Sequence, residues 1–265
     1  MKKKAYLGID IGSISTKGVI INESNEFLAE CYLWTEGNPT EATKKVLIEL
    51  QKNFNEEEYE IAASGTTGSA RKLVGSMIGA QVIKNEITTH AVGTTTIHPD
   101  VRTILEIGGQ DSKIICVENG VAVDYAMNTL CAAGTGAFLS SQAHRLGVEV
   151  EDFGKIALSA KRAAPVAARC TVFAESEVIS YIGEGRPRPD IAAGVIDSVA
   201  AKVATLCSRQ ALLPEIRLTG GLCHSPYFVA RLAEKLGHPV QALPGGQFAG
   251  AYGASLIAQK QASSS

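Results

Sequence analysis

The stretch "GIDIGSISTK", residues 8–17, decides the fold that we predict for this chain. It ends an apolar strand, turns through glycine and begins a second strand. "EIGGQDSK", residues 106–113, repeats this arrangement at an offset of 96 residues. The offset aligns an acid, a glycine, a hydroxyl residue and a lysine: Asp10 with Glu106, Gly12 with Gly108, Thr16 with Ser112, and Lys17 with Lys113. Such a match predicts that the chain is internally duplicated.

Similar elements follow each motif. Alternating apolar residues predict the strands "TKGVIINE" and "EFLAECYLW" after the first motif, and helical spacing predicts a helix in "EATKKVLIELQKNF". The second motif lies in "ILEIGGQDSKIICVENGVAVDYAM", which again predicts three strands. The remaining elements predicted for the first half are short strands near 61–64 and 81–84 and helices near 69–78 and 87–97.

The duplication predicts two α/β domains that face each other across a cleft. We expect the first domain to span residues 1–98, completed by a C-terminal helix at 247–265, and the second to span 99–246. The Gly-rich turns suit phosphate because their backbone N–H groups converge, and the acids suit Mg²⁺ and an attacking water. "IRLTGGL" adds a strand that ends in bare backbone, suited to a flat ring.

Composition limits the classes of function. The chain has 265 residues, 45% of them hydrophobic, and a formal net charge of −2, which indicates a globular protein and opposes nucleic acid as the main partner. "MKKKAYLGID" lacks the apolar core of a signal peptide. The apolar stretch "IAAGVIDSVAAKVATLC" is interrupted by Asp197 and Lys202, so we expect no membrane partner and a cytoplasmic location.

The six cysteines are scattered and include no CxxC pair, so we expect no disulfide framework. Cys31, Cys116 and Cys207 lie in apolar strand-like or helical stretches, which predicts buried thiols. Cys131 lies three residues ahead of a Gly-Thr-Gly, in "TLCAAGTGAF". The residues alone leave it as a ligand, a nucleophile or a small apolar filler.

Several motifs resemble a known superfamily. "GIDIGSISTK", "EIGGQDSK" and "LTGG" resemble the phosphate-1, phosphate-2 and adenosine segments of actin, Hsp70 and the sugar kinases. "CAAGTGAF" followed by "CTVFAESEVIS" resembles the ATP-dependent activators known as archerases, and the resemblance covers essentially the whole chain. It implies an actin-like ATPase (RNase H-like) fold, and a homodimer that shares one [4Fe–4S] cluster and takes electrons from reduced ferredoxin or flavodoxin.

The resemblance also implies a nucleotide site for ATP or ADP with Mg²⁺. Asp10, Glu106 and Gln110 would act in hydrolysis, with Asp10 toward Mg²⁺. The residues that would bind the nucleotide are Ser13, Ile14, Ser15, Thr16, Lys17, Gly108, Gly109, Gln110, Asp111, Gly134, Thr135, Gly136, Glu177, Gly220, Gly221 and Gln247.

Cys131 and Cys170 would be the cluster ligands. A cubane cluster takes four thiolates, and a two-fold dimer doubles the two that one chain offers. Both cysteines precede predicted helices, whose N-termini stabilise negative charge. The helix stripes are Leu139, Ala143 and Leu146, ended by Gly147, and Phe173, Glu177 and Tyr181.

Two departures from the family pattern concern the acceptor and the acid. Many members have Asp at the position of Glu106. Dehydratase activators tend to have charged residues before the cysteine and Arg at the position of Ala137, whereas "NTLCAAGTGAF" is apolar. This favours a double-cubane cluster protein as electron acceptor over a 2-hydroxyacyl-CoA dehydratase. The alternatives of other classes are a small-molecule kinase of the same fold and a non-enzymatic ATP-binding scaffold.

Overall fold

The computed structural model describes residues 2–128 and 135–264. Contacts divide the chain into two compact units. The first comprises Met1–Asp100, Val117–Ala122 and Gln247–Ser265, and the second comprises Val101–Cys116 and Val123–Gly246. Each unit contains a mixed five-stranded sheet with helices, which confirms the predicted α/β class. Among the described residues, none of the helices has the length and apolarity needed to cross a bilayer.

Three consecutive strands begin each half of the chain, and helices and two further strands follow them. The described strands are β1 (Lys3–Ile11), β2 (Ser15–Asn22), β3 (Phe27–Trp34), β4 (Tyr59–Gly68), β5 (Val82–Ile83), β6 (Thr103–Ile107), β7 (Ser112–Glu118), β8 (Val121–Asn128), β9 (Ile216–Gly220) and β10 (Val240–Ala242). The described α-helices are α1 (Pro39–Asn53), α2 (Arg71–Ile78), α3 (Glu86–Ile97), α4 (Gly136–Arg145), α5 (Val150–Ala157), α6 (Thr171–Gly183), α7 (Arg188–Cys207), α8 (Pro226–Leu236) and α9 (Ala249–Ser263).

The sheet of the first unit has the order β3-β2-β1-β4-β5. β1 and β2 are antiparallel, as are β2 and β3, whereas β4 runs parallel to β1. β1 is buried on both faces, which explains its nearly continuous apolar sequence. Val46 and Leu50 of α1 pack with Ile9 on one face, and Tyr252 of α9 packs with Tyr6 on the other.

Glycines let α9 lie directly on the strands. A Cβ at Gly8 would stand 1.9 Å from the carbonyl oxygen of Ala251, and one at Gly65 would stand 2.4 Å from that of Ala254. Any larger residue would push the helix backbone away from β1 or β4. The C-terminal helix therefore completes the layer on this face of the first sheet.

The second sheet repeats the first. Its order is β10-β9-β6-β7-β8, so β6 takes the place of β1, and β7 to β10 take those of β2 to β5. The equal order confirms the predicted duplication. Leu105 and Leu218 of this sheet belong to a core with Val195 and Val199 of α7 and Phe228 of α8.

Candidate functional site

The first hairpin, β1–β2, pairs an acid with a lysine. Asp10 and Lys17 are opposite each other in the ladder, and the Nζ of Lys17 lies 3.2 Å from the Oδ2 of Asp10. Both side chains are largely buried, with exposed fractions of 8% for Asp10 and 15% for Lys17. The ammonium also lies 5.9 Å from the ring centroid of Tyr32. Burial strengthens this ion pair, since little water screens it.

Hydrogen bonds within the protein stabilise the turn of this hairpin. Thr35 makes two of the bonds: its Oγ1 donates to the Gly12 carbonyl at 2.8 Å, and its amide donates to the Ile14 carbonyl at 2.8 Å. The Gly12 amide donates to the Ser15 carbonyl at 3.0 Å. Thr16 is buried and its Oγ1 lies 2.9 Å from that of Thr35. Because its carbonyls already accept protein donors, the turn around exposed Ser13 offers an anion N–H groups rather than oxygens.

Asp10 also lies against the first turn of α9. A Cβ at Gly250 would stand 3.0 Å from the Oδ2 of Asp10 and 3.0 Å from the Nε2 of His90 on α3. These two atoms are therefore no more than twice that distance apart, and both side chains are buried. The positive end of α9 supports a carboxylate here. The motifs in the sequence predicted neither Gly250 nor His90 at this position.

The second hairpin, β6–β7, repeats the pair with an added carboxylate. Glu106 lies opposite Lys113 in the ladder, and the Nζ of Lys113 lies 2.7 Å from its Oε2. The same ammonium lies 2.6 Å from the Oδ1 of Asp111. Only 3% of the Lys113 side chain is exposed. Lys113 is therefore clamped between two carboxylates.

The glycine loop of this hairpin is bonded to α4. The amides of Gly136 and Ala137 donate to the carbonyls of Gly108 and Gly109 at 2.9 and 2.8 Å. Thr135 precedes the helix and is buried, and Gln110 is exposed at the tip of the loop. The loop and the start of α4 therefore form one connected element. Gly134 lies outside the described residues.

The predicted adenosine glycines lie beside this loop. Gly220 pairs with Ile107 in the β6–β9 ladder. It has φ +85°, and a Cβ there would stand 2.3 Å from the carbonyl oxygen of Ile107, so only glycine fits. Outside its chain neighbours and its own helical turn, no heavy atom of the described residues lies within 4 Å of a Cβ built on Gly221. The pair offers a bare backbone surface.

The two polar residues predicted near adenosine lie in different units. Glu177 is on α6, and its Oε2 accepts from the Ala167 amide at 2.6 Å. Gln247 is half-buried in the short 3-10 turn before α9, which is part of the first unit. A role for either at a nucleotide stays a prediction.

Cys170 is a free, half-buried thiol at the N-cap of α6, and Cys131 lies outside the described residues. A thiol at a helix N-terminus fits a thiolate ligand, because the helix dipole favours the anion. Cys31 and Cys207 are buried, and Cys116 is half-buried. Burial raises the pKa of all three thiols, that of Cys207 to about 12. These thiols suit packing rather than metal binding.

Comparisons with known proteins agree with this architecture. A family model described as the BadF/BadG/BcrA/BcrD ATPase family matches residues 7–258. The (R)-2-hydroxyglutaryl-CoA dehydratase activating ATPase of Acidaminococcus fermentans is 36% identical over 256 residues, which cover 97% of each chain.

Two solved structures show the fold. The activator of the 2-hydroxyisocaproyl-CoA dehydratase from Clostridium difficile, with bound ADPNP, has a TM-score of 0.92 and 33% identity, covering 98% of this chain and 96% of that one. A ROK family glucokinase from Streptomyces griseus shares the fold alone, with a TM-score of 0.59 and 14% identity over 97% of this chain and 99% of that one. The predicted actin-like fold and family resemblance are confirmed. The chain belongs to the BadF/BadG/BcrA/BcrD ATPase family.

Proposed function

We propose that the chain is an ATP-hydrolysing activator that passes single electrons to a cluster-bearing enzyme and works as a homodimer. One observation carries this proposal: the second unit holds both a glycine loop bonded to α4 and a free thiol at the start of α6. The two helices are in contact, with the Gln142 Nε2 donating to the Oε1 of Glu175 at 3.3 Å. A nucleotide-dependent shift of the loop would therefore reach the helix of the thiol.

The nucleotide chemistry that we propose is phosphoryl transfer to water. Lys17 and the turn at residues 12–15 would bind phosphate oxygens, with Asp10 facing Mg²⁺, which neutralises phosphate charge when bound. Glu106 and Gln110 would orient the attacking water. The other loop and adenosine contacts would come from Gly108, Gly109, Asp111, Gly134, Thr135, Gly136, Gly220, Gly221 and Gln247.

Cys131 and Cys170 are the ligands that we propose for a [4Fe–4S] cluster, two from each subunit of the dimer. When bound, the cluster supplies one-electron redox chemistry. Reduced ferredoxin or flavodoxin would be the donor. ATP can drive transfer only if it binds the two conformations of the dimer with different affinity.

Two acceptor classes are supported by different observations. The names of the relatives support a 2-hydroxyacyl-CoA dehydratase. The apolar sequence "NTLCAAGTGAF", with Ala137 at the start of α4, supports a double-cubane cluster protein. ATP-dependent reduction of each purified acceptor, with reduced ferredoxin as donor, separates the two classes.

The test of the proposal is anaerobic purification followed by iron analysis and EPR spectroscopy. We expect about four irons per dimer, with the iron lost in Cys131→Ser and in Cys170→Ser. Cys207→Ser is the matched control and keeps its iron, because that thiol is only 2% exposed in the core. An iron-free protein that phosphorylates a sugar or a carboxylate would contradict the proposal.

A further inference from the structure

An irregular segment leads from α5 to Cys170 and is bonded to helices along its length. We name residues 161–169 the strap. The Oδ1 of Asp190 on α7 accepts from the amides of Lys161 and Arg162 at 2.9 and 3.3 Å. The Ala164 amide donates to the Asp190 carbonyl at 2.8 Å. The first half of the strap is therefore fixed to the N-terminus of α7.

The second half is held by α6, the helix that Cys170 begins. The Oη of Tyr181 donates to the Pro165 carbonyl at 2.6 Å, and the Oε2 of Glu177 accepts from the Ala167 amide at 2.6 Å. Two residues further on, the Nζ of Lys202 on α7 lies 3.5 Å from the Arg169 carbonyl oxygen. Every second residue in this half of the strap, from Pro165 to Arg169, therefore has a hydrogen bond to a helix side chain.

The anchors on α6 are suited to act together. Glu177 and Tyr181 are four residues apart and so lie on one face of the helix. The guanidinium of Arg186 lies 4.3 Å from the Tyr181 ring centroid and supports that ring from the end of the helix. The bond from Ala167 to the Glu177 carboxylate is short and charge-assisted, which makes it stronger than a neutral hydrogen bond.

The strap ends where the proposed ligand begins. The Cys170 carbonyl accepts from the Ala174 amide at 3.0 Å, so the cysteine is fixed to α6 on its C-terminal side. On its N-terminal side the strap returns to the same helix through Ala167. A change at Glu177 would therefore move the thiol without loss of any packed apolar residue.

We propose that Glu177 and Tyr181 are positioning residues for Cys170, and that they set the geometry of the thiol rather than the affinity for ATP. This inference rests on the proposed function, in which Cys170 is a cluster ligand. It also separates two roles for Glu177, because a carboxylate that serves as a strap anchor and one that borders adenosine respond differently to the same substitution.

The test compares Glu177→Ala, Glu177→Gln and Tyr181→Phe with wild type. Glutamine keeps an oxygen that can accept from Ala167, so it serves as the conservative rescue. Ser180→Ala is the matched control, because Ser180 is exposed on the same helix and bonds to no described residue of the strap in this structure. The three measurements are hydrogen exchange of the Ala167 amide, the EPR spectrum of the reduced protein and the KM for ATP.

We expect Glu177→Ala to speed exchange of the Ala167 amide about tenfold and to change the EPR spectrum, with the KM for ATP unchanged. Glu177→Gln should restore most of the slow exchange of the Ala167 amide and most of the wild-type EPR spectrum. Tyr181→Phe should change these two measurements less than Glu177→Ala does, and Ser180→Ala should leave them unchanged. Unchanged exchange, or faster exchange with an unchanged spectrum, would overturn the inference. A raised KM with unchanged exchange would instead assign the carboxylate to adenosine.

Failure of the proposed function gives a different result. If the wild-type protein binds no iron, the proposed function fails, and the comparison is made on the rate at which iodoacetamide alkylates Cys170. Faster alkylation in Glu177→Ala, restored in Glu177→Gln, supports the strap as the device that positions this thiol. Equal rates in all variants would overturn it.

Discussion

The two acid–lysine hairpins have the same register but different electrostatics. In the first, one carboxylate faces one ammonium at 3.2 Å, and 15% of the Lys17 side chain is exposed. In the second, the Lys113 ammonium lies 2.7 and 2.6 Å from two carboxylates, and 3% of its side chain is exposed. The longer Glu106 and the added Asp111 bring the second lysine into a closed cluster.

This difference is the basis on which we propose different tasks for the two hairpins. In the first hairpin the charges of Asp10 and Lys17 balance, and the Lys17 ammonium is nearer the surface than that of Lys113. This arrangement suits a phosphate. The second places the carboxylates of Glu106 and Asp111 beside Lys113, an arrangement that suits a cation or a polarised water. The repeated motif thus keeps its backbone register, while the ion pairs around its lysine differ.

The largest loss of stability is expected when the Lys113 ammonium is removed from between Glu106 and Asp111. Lys113→Met removes a buried ammonium that faces two carboxylates, which should cost about 3–5 kcal/mol of unfolding free energy. Thermal unfolding measures the loss. The double variant Lys113→Met with Glu106→Leu should recover part of it, because it removes a buried charge as well. If Lys113→Met unfolds like wild type, the second hairpin is not a structural clamp.

Lys17→Met should act on activity more than on stability. Loss of the ammonium that we assign to phosphate should lower kcat/KM for ATP about 100-fold, while the unfolding midpoint falls less than in Lys113→Met. Steady-state ATPase assays check this. Lys4→Met is the control, because Lys4 is an exposed lysine on the neighbouring strand β1. Equal ATPase losses in Lys17→Met and Lys113→Met would remove the functional difference between the hairpins.

Gly250→Ala tests whether ATPase activity depends on the position of the Asp10 carboxylate. The added methyl would stand 3.0 Å from the Asp10 carboxylate and from His90, so one of them must move. We expect a roughly tenfold loss of ATPase activity. Gly183→Ala should behave like wild type, because the added methyl has no described heavy atom within 4 Å outside its chain neighbours and its own helix backbone. Full activity in Gly250→Ala would show that Asp10 tolerates displacement.

The smallest effect is expected from Glu106→Asp, which makes the second acid like the first. The shorter side chain withdraws its carboxylate from Lys113 and should lower the unfolding free energy by about 1 kcal/mol. Chemical denaturation measures this, with exposed Glu60→Asp as the control. A gain in stability would show that the longer acid strains the hairpin.

Much of the fold was predictable from local pattern. The three strands of each motif and the helix that begins after Cys170 lie where the sequence predicts them. The strand predicted near 61–64 was too short, because β4 continues to Gly68. Its small polar end, "SGTTG", resembles a turn, but pairing with β1 along its whole length keeps it extended.

Contacts between distant residues were not predictable in the same way. No pattern in the sequence predicted that the Glu177 carboxylate accepts from the Ala167 amide, because this bond joins α6 to an irregular segment. Gly250 and His90 meet near Asp10 only after α3 and α9 pack together.

The sequence by itself determined the duplication, the fold class and the hairpin turns, because strand alternation, glycine and helix starts are local properties repeated at one offset. Tertiary structure decided that the Lys113 ammonium lies between Glu106 and Asp111 while that of Lys17 lies beside Asp10, and that α6 holds the strap before Cys170. These outcomes depend on side-chain length and on which surfaces meet. Neither can be read from spacing along the chain.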